Sequence, residues 1–507
     1  MEFQHVTPES VGVPSQAVLD LIDELYRYGI DMHGLMLLRH GKVYAQGFWK
    51  PYNPQTPHIM FSFSKSLTST AIGFAVQEGI LSLDDKLCDI FPDKLPENPS
   101  ENLKKCCVRH LLMMGCGHAQ EIEWANSPLD WISLFLKNDF VYEPGTHFLY
   151  NTAGTNMLSA IITRKTGLPL TQFLKPRLFE PLGMGEIHCH ALPDGTEMGG
   201  AGMYLTLDAM ARFVQFVANR GSWEGRQLLN EGWFDLATTK EIDNPDVGYW
   251  AGDPDWHAGY GFQFWMCDKP GVFRGDGAFG QYGVVLTHQD AVVVIQSASM
   301  RLQAVLNAVW DTLLPAFADA PLPEDAHAFH RLEKRLAALE VPPMLGMRNP
   351  GAESSLNGAV YLPDQPIPGL VDFVAGAGHF VPLGNQLQKL EFAFDGDNDR
   401  LLFHQDTGTQ ELNLGMTGHF ATTQVGDDLF GCNGRWRAHN KLELEVRNTR
   451  MATGLRMLFE FSGDKLTVTS DLTVPEMGGL AGSAPAPVVL SLESGDVNTK
   501  TKMYWEQ

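Results

Sequence analysis

Runs that read as β-strand lie at both ends of the first roughly 320 residues, with a long helical stretch between them. Gly34–Leu38 and Lys42–Trp49 flank the turn His40-Gly41. Tyr260–Met266, Gly283–Leu286 and Ala291–Ser297 come much later, the last two joined by His288-Gln289-Asp290. The middle is helical. A helix follows Phe61 and stops at Gly79, and Val108–Met114, Trp131–Lys137 and Met157–Thr163 continue the pattern. Leu207–Asn219, begun near Thr206 and ended at Gly221, completes it. Ser15–Tyr28 is an amphipathic helix at one end and Gln303–Phe317 a closing helix at the other. A sheet whose strands come from both ends of one segment, with helices to cover it, predicts an α+β fold with an antiparallel sheet.

The pattern changes after this segment. Ala318–Pro323 is a Pro-containing break and Ala326–Leu339 a charged connector helix. Beyond Pro342, Lys389–Phe394, Arg400–His404, Leu442–Arg447, Met457–Phe461 and Leu466–Thr469 alternate in hydropathy and are split by Gly, Asp and Asn. That predicts a small all-β barrel or sandwich. The expected division is 1–318, a connector at 319–342, and an all-β domain at 343–507. Asp395–Asp399 lacks the carboxylate spacing and final Glu of a calcium loop, and reads as a hairpin turn.

Charge and cysteine usage bound the partners. A net charge of −23 over 507 residues argues against nucleic acid or an anionic membrane surface. No apolar run is long enough to span a bilayer, and Met1–His5 has neither the basic nor the apolar region of a signal peptide. Seven scattered cysteines suit reduced thiols, so a cytoplasmic protein is expected, with a homo-oligomer possible.

The chemistry centres on Phe61-Ser62-Phe63-Ser64-Lys65-Ser66-Leu67. If this stretch opens a helix, the i,i+3 spacing puts Ser62 and Lys65 on one face. A serine hydroxyl must lose its proton as it attacks, and a lysine can take it only if burial or cationic neighbours depress its pKa. Ile59, Met60, Phe61, Phe63 and Leu67 offer that burial. The competing reading of Ser62 is a helix N-cap with a solvated lysine one turn on. A second Ser-x-x-Lys, Ser462–Lys465, sits between strand-like runs and reads as a hairpin turn.

With those landmarks, residues 8 to 317 resemble the class C β-lactamase-like serine hydrolases, which include β-lactamases, penicillin-binding D,D-peptidases, D-aminopeptidases and esterases. The likeness rests on Phe61–Thr70 with Ala71-Ile72-Gly73, on Leu81–Lys86, Val108–Leu112, Glu143-Pro144-Gly145 and Tyr150, and on Met203–Phe213 with Gly221, Trp223, Gly225, Leu228 and Leu229. The all-β part is similar to the lipocalin-like domains appended to some members. The resemblance implies Ser62 as the acylated nucleophile, Lys65 as its proton acceptor, and Tyr150 as the group that passes the proton to the leaving group. The family's Tyr-x-Asn motif places its Asn on Thr152, with Asn151 one residue early. Its third motif, Lys-Thr-Gly or His-x-Gly, falls on Gly275-Asp276-Gly277, with Arg274 the nearby cation and Ala278 implied as the second oxyanion-hole donor beside Ser62. Lacking Lys or His there, the motif has no obvious clamp for a substrate carboxylate.

The expected function is therefore hydrolysis of a small ester or amide through a Ser62 acyl-enzyme, without a cofactor or metal. The alternatives are a β-lactamase or D-amino-acid peptidase with penicillin binding, and a non-catalytic ligand-binding protein on the same scaffold. Other readings stay open beside these. Tyr150 reads also as a core aromatic and Thr152 as a helix cap. Gly275–Gly280 matches Gly-x-Gly-x-x-Gly but precedes a strand, which removes a dinucleotide site. His188-Cys189-His190 reads as solvated loop rather than metal ligands. Tyr249–Trp256 and Tyr260–Trp265 line a cleft or fill the core. No Gly-x-Ser-x-Gly or His-Glu-x-x-His is present.

Overall fold

The computed structural model describes residues 2–122, 130–245, 251–375, 384–396, 398–474, 486–494, 501–502 and 504–505. The chain forms two compact units. The first comprises 1–47, 59–297 and 301–337, so it includes the helix read as a connector; the second takes up 48–58 and 298–300 together with 338–507.

In the first unit, helix α1 (Ser15–Arg27) precedes strands β1 (Asp31–Arg39) and β2 (Lys42–Phe48). Helices α2 (Ser64–Gln77), α3 (Thr152–Thr166) and α4 (Leu207–Ala218) follow. The chain then returns as β3 (Trp265–Met266), β4 (Val272–Gly277), β5 (Gln281–Leu286) and β6 (Ala291–Ala298), and closes with α5 (Leu302–Thr312) and α6 (Ala326–Ala337). The strands form one sheet in the order β2-β1-β6-β5-β4-β3, which joins the early pair to the late strands across the helical middle. The α+β expectation is met. Pairing of β3 with β4, β4 with β5, and β5 with β6 is antiparallel, with Gly283 opposite both Gly275 and Val294. β1, β5 and β6 are apolar and almost wholly buried, the pattern of a sheet covered on both faces.

Tyr260–Met266 is not one strand. Only Trp265–Met266 pairs as β3. Gln263 takes a left-handed φ of 67° and turns its side chain inward, where its amide donates to the carbonyls of Leu111 (3.2 Å) and Leu112 (2.7 Å) and accepts from the Thr155 hydroxyl at 2.7 Å. A polar residue buried for hydrogen bonding breaks the apolar run that the sequence suggests.

The second unit carries a ten-stranded antiparallel sheet among its described residues. Its strands are β7 (Val360–Pro363), β8 (Leu387–Ala393), β9 (Arg400–Gln405), β10 (Gly408–Asn413), β11 (Ala421–Val425), β12 (Asp428–Ala438), β13 (Lys441–Asn448), β14 (Leu455–Ser462), β15 (Lys465–Leu472) and β16 (Val488–Leu492). They run in the order β10-β9-β8-β7-β16-β15-β14-β13-β12-β11. Side-chain hydrogen bonds from Asn413 to Thr422 and Thr423, each 2.8 Å, draw the two edges together, so the barrel is nearly closed. Alternate residues point inward, and Phe392, Phe459 and Phe461 fill the interior with Tyr361 and Trp505. The space left between Ile367, Leu390, Phe403, Met457 and Leu490 is about 20 Å³, room for one water. Ser462 pairs with Lys465 across the β14–β15 hairpin, so this second Ser-x-x-Lys is a turn.

Candidate active site

Ser62 sits in a single 3₁₀ turn, Phe61–Phe63, that runs directly into α2. The preceding Phe61 has φ +45°, a strained conformation for a bulky residue. The surroundings impose it. Met60 N–H donates to the Met203 carbonyl at 2.9 Å, Met203 N–H donates to Ser64 Oγ at 3.1 Å, and the Phe61 ring packs on Phe279. The turn leaves Ser62 half-buried and Lys65 only 1% exposed. Ser62 is not a conventional N-cap, because α2 has no side-chain cap hydrogen bond.

Lys65 Nζ lies 3.0 Å from Ser62 Oγ, 3.1 Å from Thr152 Oγ1 and 2.7 Å from the Gly200 carbonyl. Burial pulls its pKa down to about 7, while the carboxylates of Glu121 and Asp276 pull the other way. A neutral amine has two N–H bonds and one lone pair. The Gly200 carbonyl can only accept and Thr152 Oγ1 accepts the second N–H, which leaves the lone pair for the Ser62 hydroxyl.

Tyr150 lies just before α3. Its ring stacks on Trp265 with centroids 5.3 Å apart and stands 4.9 Å from Lys65 Nζ, and its hydroxyl hydrogen-bonds the Ser62 side chain. Burial, then the negative charge of Asp276, pushes its pKa well above the ordinary tyrosine value. At neutral pH Lys65 can accept a proton and Tyr150 can donate one. Thr152 is the first residue of α3; the cap is Asn151, whose Oδ1 accepts from Gly154 N–H at 2.8 Å. Asn151 is 1% exposed and its Nδ2 lies 3.3 Å from His118 Nδ1, so its amide is committed below the helix end. Glu121, which no motif marks, accepts from Ala153 N–H at 2.8 Å.

On β4, Gly275 and Gly277 lie against the turn that carries Ser62. A Cβ at Gly275 would meet Ser66 Oγ at 2.8 Å, and one at Gly277 would meet the Met60 carbonyl at 2.1 Å. Asp276 is bound to Arg274, with Nε to Oδ2 at 2.9 Å. Arg274 is fully buried, lies 4.3 Å over the Trp256 ring, and donates to the Asp255 carbonyl at 2.7 Å. This cation is a core fixture and does not reach out as a clamp. The backbone N–H groups of Ser62 and Ala278 make no hydrogen bond to any described residue.

The remaining motifs resolve structurally. Gly275–Gly280 forms the β4–β5 hairpin with Phe279 and Gly280 at positive φ. His188–Cys189 is a short strand and not solvated loop: it pairs with Met203–Tyr204, Cys189 is buried, and His190 Nε2 lies 2.8 Å from the Tyr204 hydroxyl. Among the described residues, no group of His, Cys, Asp and Glu is disposed to hold a metal ion. Trp256 is core at 2% exposure; Tyr249 and Trp250 lie outside the described residues. All seven cysteines are free, and no described helix is long and apolar enough to cross a membrane. A groove of about 410 Å³ lined by Arg220, Thr239, Cys267 and Lys269 includes none of Ser62, Lys65 and Tyr150.

The chain is 27% identical over 166 residues to penicillin-binding protein 4* of Bacillus subtilis (strain 168), covering 30% of this chain and 35% of that protein. It is 24% identical over 290 residues to the 6-aminohexanoate-dimer hydrolase of Paenarthrobacter ureafaciens, covering 51% and 70%. The match thus spans about a third of the length of the first relative. Among solved structures, a putative beta-lactamase from Bacteroides dorei DSM 17855 superposes with a TM-score of 0.51 at 18% identity, covering 59% of this chain and 99% of that one, which supports the fold. A family model described as Beta-lactamase matches residues 20–312, more than half of the sequence, and the chain belongs to this family of hydrolases.

Proposed function

We propose that this protein is a serine hydrolase that cleaves an ester or amide through an acyl-enzyme on Ser62. The observation that carries the reading is the Lys65 environment: a buried amine with a pKa of about 7, two acceptors for its N–H bonds, and Ser62 Oγ at 3.0 Å from Nζ. As Ser62 Oγ attacks the carbonyl carbon, its proton passes to Lys65 Nζ. The developing oxyanion is received by the N–H groups of Ser62 and Ala278; a donor of this kind contributes about 2.7–4 kcal/mol. Tyr150, protonated and hydrogen-bonded to Ser62, gives its proton to the leaving oxygen or nitrogen and recovers one from the Lys65 ammonium. Water then attacks the acyl-enzyme by the reverse proton path.

Thr152 serves in this scheme as a hydrogen-bond partner of Lys65, and the edge Gly275-Asp276-Gly277-Ala278 as the wall along which the acyl group lies. Because Arg274 is fully buried, with Nε on Asp276 and Nη1 on the Asp255 carbonyl, substrates that need an exposed cationic carboxylate clamp are disfavoured, which ranks esters and simple amides above penicillins and D,D-peptides. Similarity to a 6-aminohexanoate-dimer hydrolase supports a hydrolytic reaction. The test is intact mass after exposure to a fluorophosphonate. One adduct on the wild type and none on Ser62→Ala is expected; equal labelling of both removes Ser62 as the nucleophile.

A further inference from the structure

Gln263 ties together the two helices that carry Lys65 and Thr152. It is 2% exposed and holds a left-handed φ of 67°, a conformation that a side chain of this size adopts only when its surroundings impose it. Its main-chain carbonyl accepts from Ser66 Oγ at 2.8 Å, and Ser66 follows Lys65 on α2. Its Oε1 accepts from Thr155 Oγ1 at 2.7 Å, and Thr155 lies one turn beyond Thr152 on α3. Its Nε2 donates to the carbonyls of Leu111 (3.2 Å) and Leu112 (2.7 Å), at the end of the Val108–Leu112 helix where carbonyls run short of intrahelical donors. Two residues further on, Trp265 stacks on Tyr150 with centroids 5.3 Å apart.

We propose that Gln263 is a positioning residue for the reaction at Ser62: its carbonyl and its side-chain amide set the separation of α2 and α3 at which Lys65 meets both Ser62 and Thr152. The proposal rests on the function argued above. Lys65 Nζ crosses from α2 to Thr152 Oγ1 on α3 at 3.1 Å while lying 3.0 Å from Ser62 Oγ, so a change in the spacing of the two helices costs one contact or the other. Ser66 and Thr155 bond the same residue from either side, and neither helix can slide away without breaking a buried hydrogen bond. Both N–H bonds of the amide and its oxygen are used, which fixes its orientation: a flipped amide would set its oxygen against two carbonyls. The groups bonded to the amide are neutral. The titratable side chains of the helices that carry them are Lys65 on α2, Arg109 and His110 beside Leu111, and Arg164 and Lys165 at the far end of α3. Among the described residues, none of these hydrogen-bonds Gln263.

The experiment is the rate of fluorophosphonate labelling, followed by intact mass at pH 6 and pH 9, for the wild type, Gln263→Glu, Gln263→Met and Ser62→Ala, with tryptophan fluorescence recorded on the same samples. Gln263→Glu keeps the shape of the side chain. Protonated, the new carboxyl donates to a carbonyl and accepts from Thr155 as the amide does; ionised, it turns a bare oxygen on two carbonyls. Burial raises the pKa of such a carboxyl, so Gln263→Glu is expected to label within about twofold of the wild type at pH 6 and at least about tenfold more slowly at pH 9, with native fluorescence at both. Gln263→Met makes no hydrogen bond at either pH and is expected to be at least about tenfold slow at both. A ratio of Gln263→Glu to wild type that is the same at the two pH values overturns the role of the amide. Labelling of Gln263→Met at the wild-type rate overturns the proposal outright. Loss of native fluorescence in Gln263→Glu at pH 9 makes its slow labelling a stability effect and overturns positioning as the cause. Where Gln263→Met does not fold, the two pH values of Gln263→Glu decide alone. Labelling of Ser62→Ala at the wild-type rate overturns the nucleophile assignment, and that result is read independently of either Gln263 variant.

Discussion

Replacing Lys65 with methionine should make the protein more stable at pH 6 and leave it nearly unchanged at pH 9. The folded chain releases the Lys65 proton near pH 7, whereas an exposed lysine releases it near 10.5. Between those values the unfolded state binds more protons, so stability rises with pH through the window; below 7 the full penalty of burying this amine applies. At 1.36 kcal/mol per pH unit the penalty is about 5 kcal/mol at pH 6 and about 2 kcal/mol at pH 9. Methionine fills a similar volume without charge. It leaves the Gly200 carbonyl and the Thr152 hydroxyl without the amine, which costs about 1–3 kcal/mol. The net expectation is a gain of about 2–4 kcal/mol at pH 6 that falls to about zero at pH 9. Urea unfolding followed by tryptophan fluorescence at the two pH values reads this difference directly, and fluorophosphonate labelling should be lost at both. A stability gap between Lys65→Met and the wild type that does not change with pH would refute a lysine titrating near neutrality. The proton-acceptor role would fall with it.

Two further substitutions test the frame around this amine. Gly277→Ala places a methyl group 2.1 Å from the Met60 carbonyl, so β4 must move away from the Ser62 turn; labelling should fall at least about tenfold while the barrel unit keeps its unfolding transition. A variant that labels normally would show that the strand–turn contact is not what positions the Ala278 N–H. Arg274→Met leaves Asp276 buried without its counter-charge and should cost about 3–5 kcal/mol in urea unfolding; a loss below about 1 kcal/mol would mean that the guanidinium is not the core fixture described above.

The fold was legible where one physical signal dominated. Apolar runs with turn residues between them mark β1, β2, β5 and β6, and the helix over Trp131–Lys137 has its expected bounds because nothing competes with its periodicity. Legibility failed where a polar side chain was buried to satisfy backbone. Gln263 looks from sequence like one position of an apolar strand, yet it is the hydrogen-bond hub between α3 and the carbonyls of Leu111 and Leu112. Spacing alone cannot announce a partner about 150 residues away, and the same limit hid Glu121 and the Gly200 carbonyl.

The candidate site divides in the same way. Ser62 and Lys65 were legible because one helical turn brings them together, a local relation. Thr152 was legible as a position and not as a chemistry. A side-chain amide there would offer both a donor and an acceptor to a bound substrate, whereas the threonine hydroxyl is drawn inward to Lys65. Asn151 does not restore the amide, because the helix uses its oxygen as the cap. The carbonyl-orienting contact that the family's Asn implies is thus absent from this turn, and β4 offers glycine where the family has Lys or His. Both departures strip side-chain contacts to substrate and retain the amine, the hydroxyl and the two backbone donors. Under the proposed function, a site with those groups relies on reaction geometry more than on side-chain recognition, and turnover of several simple esters or amides is expected over selection of one elaborate substrate.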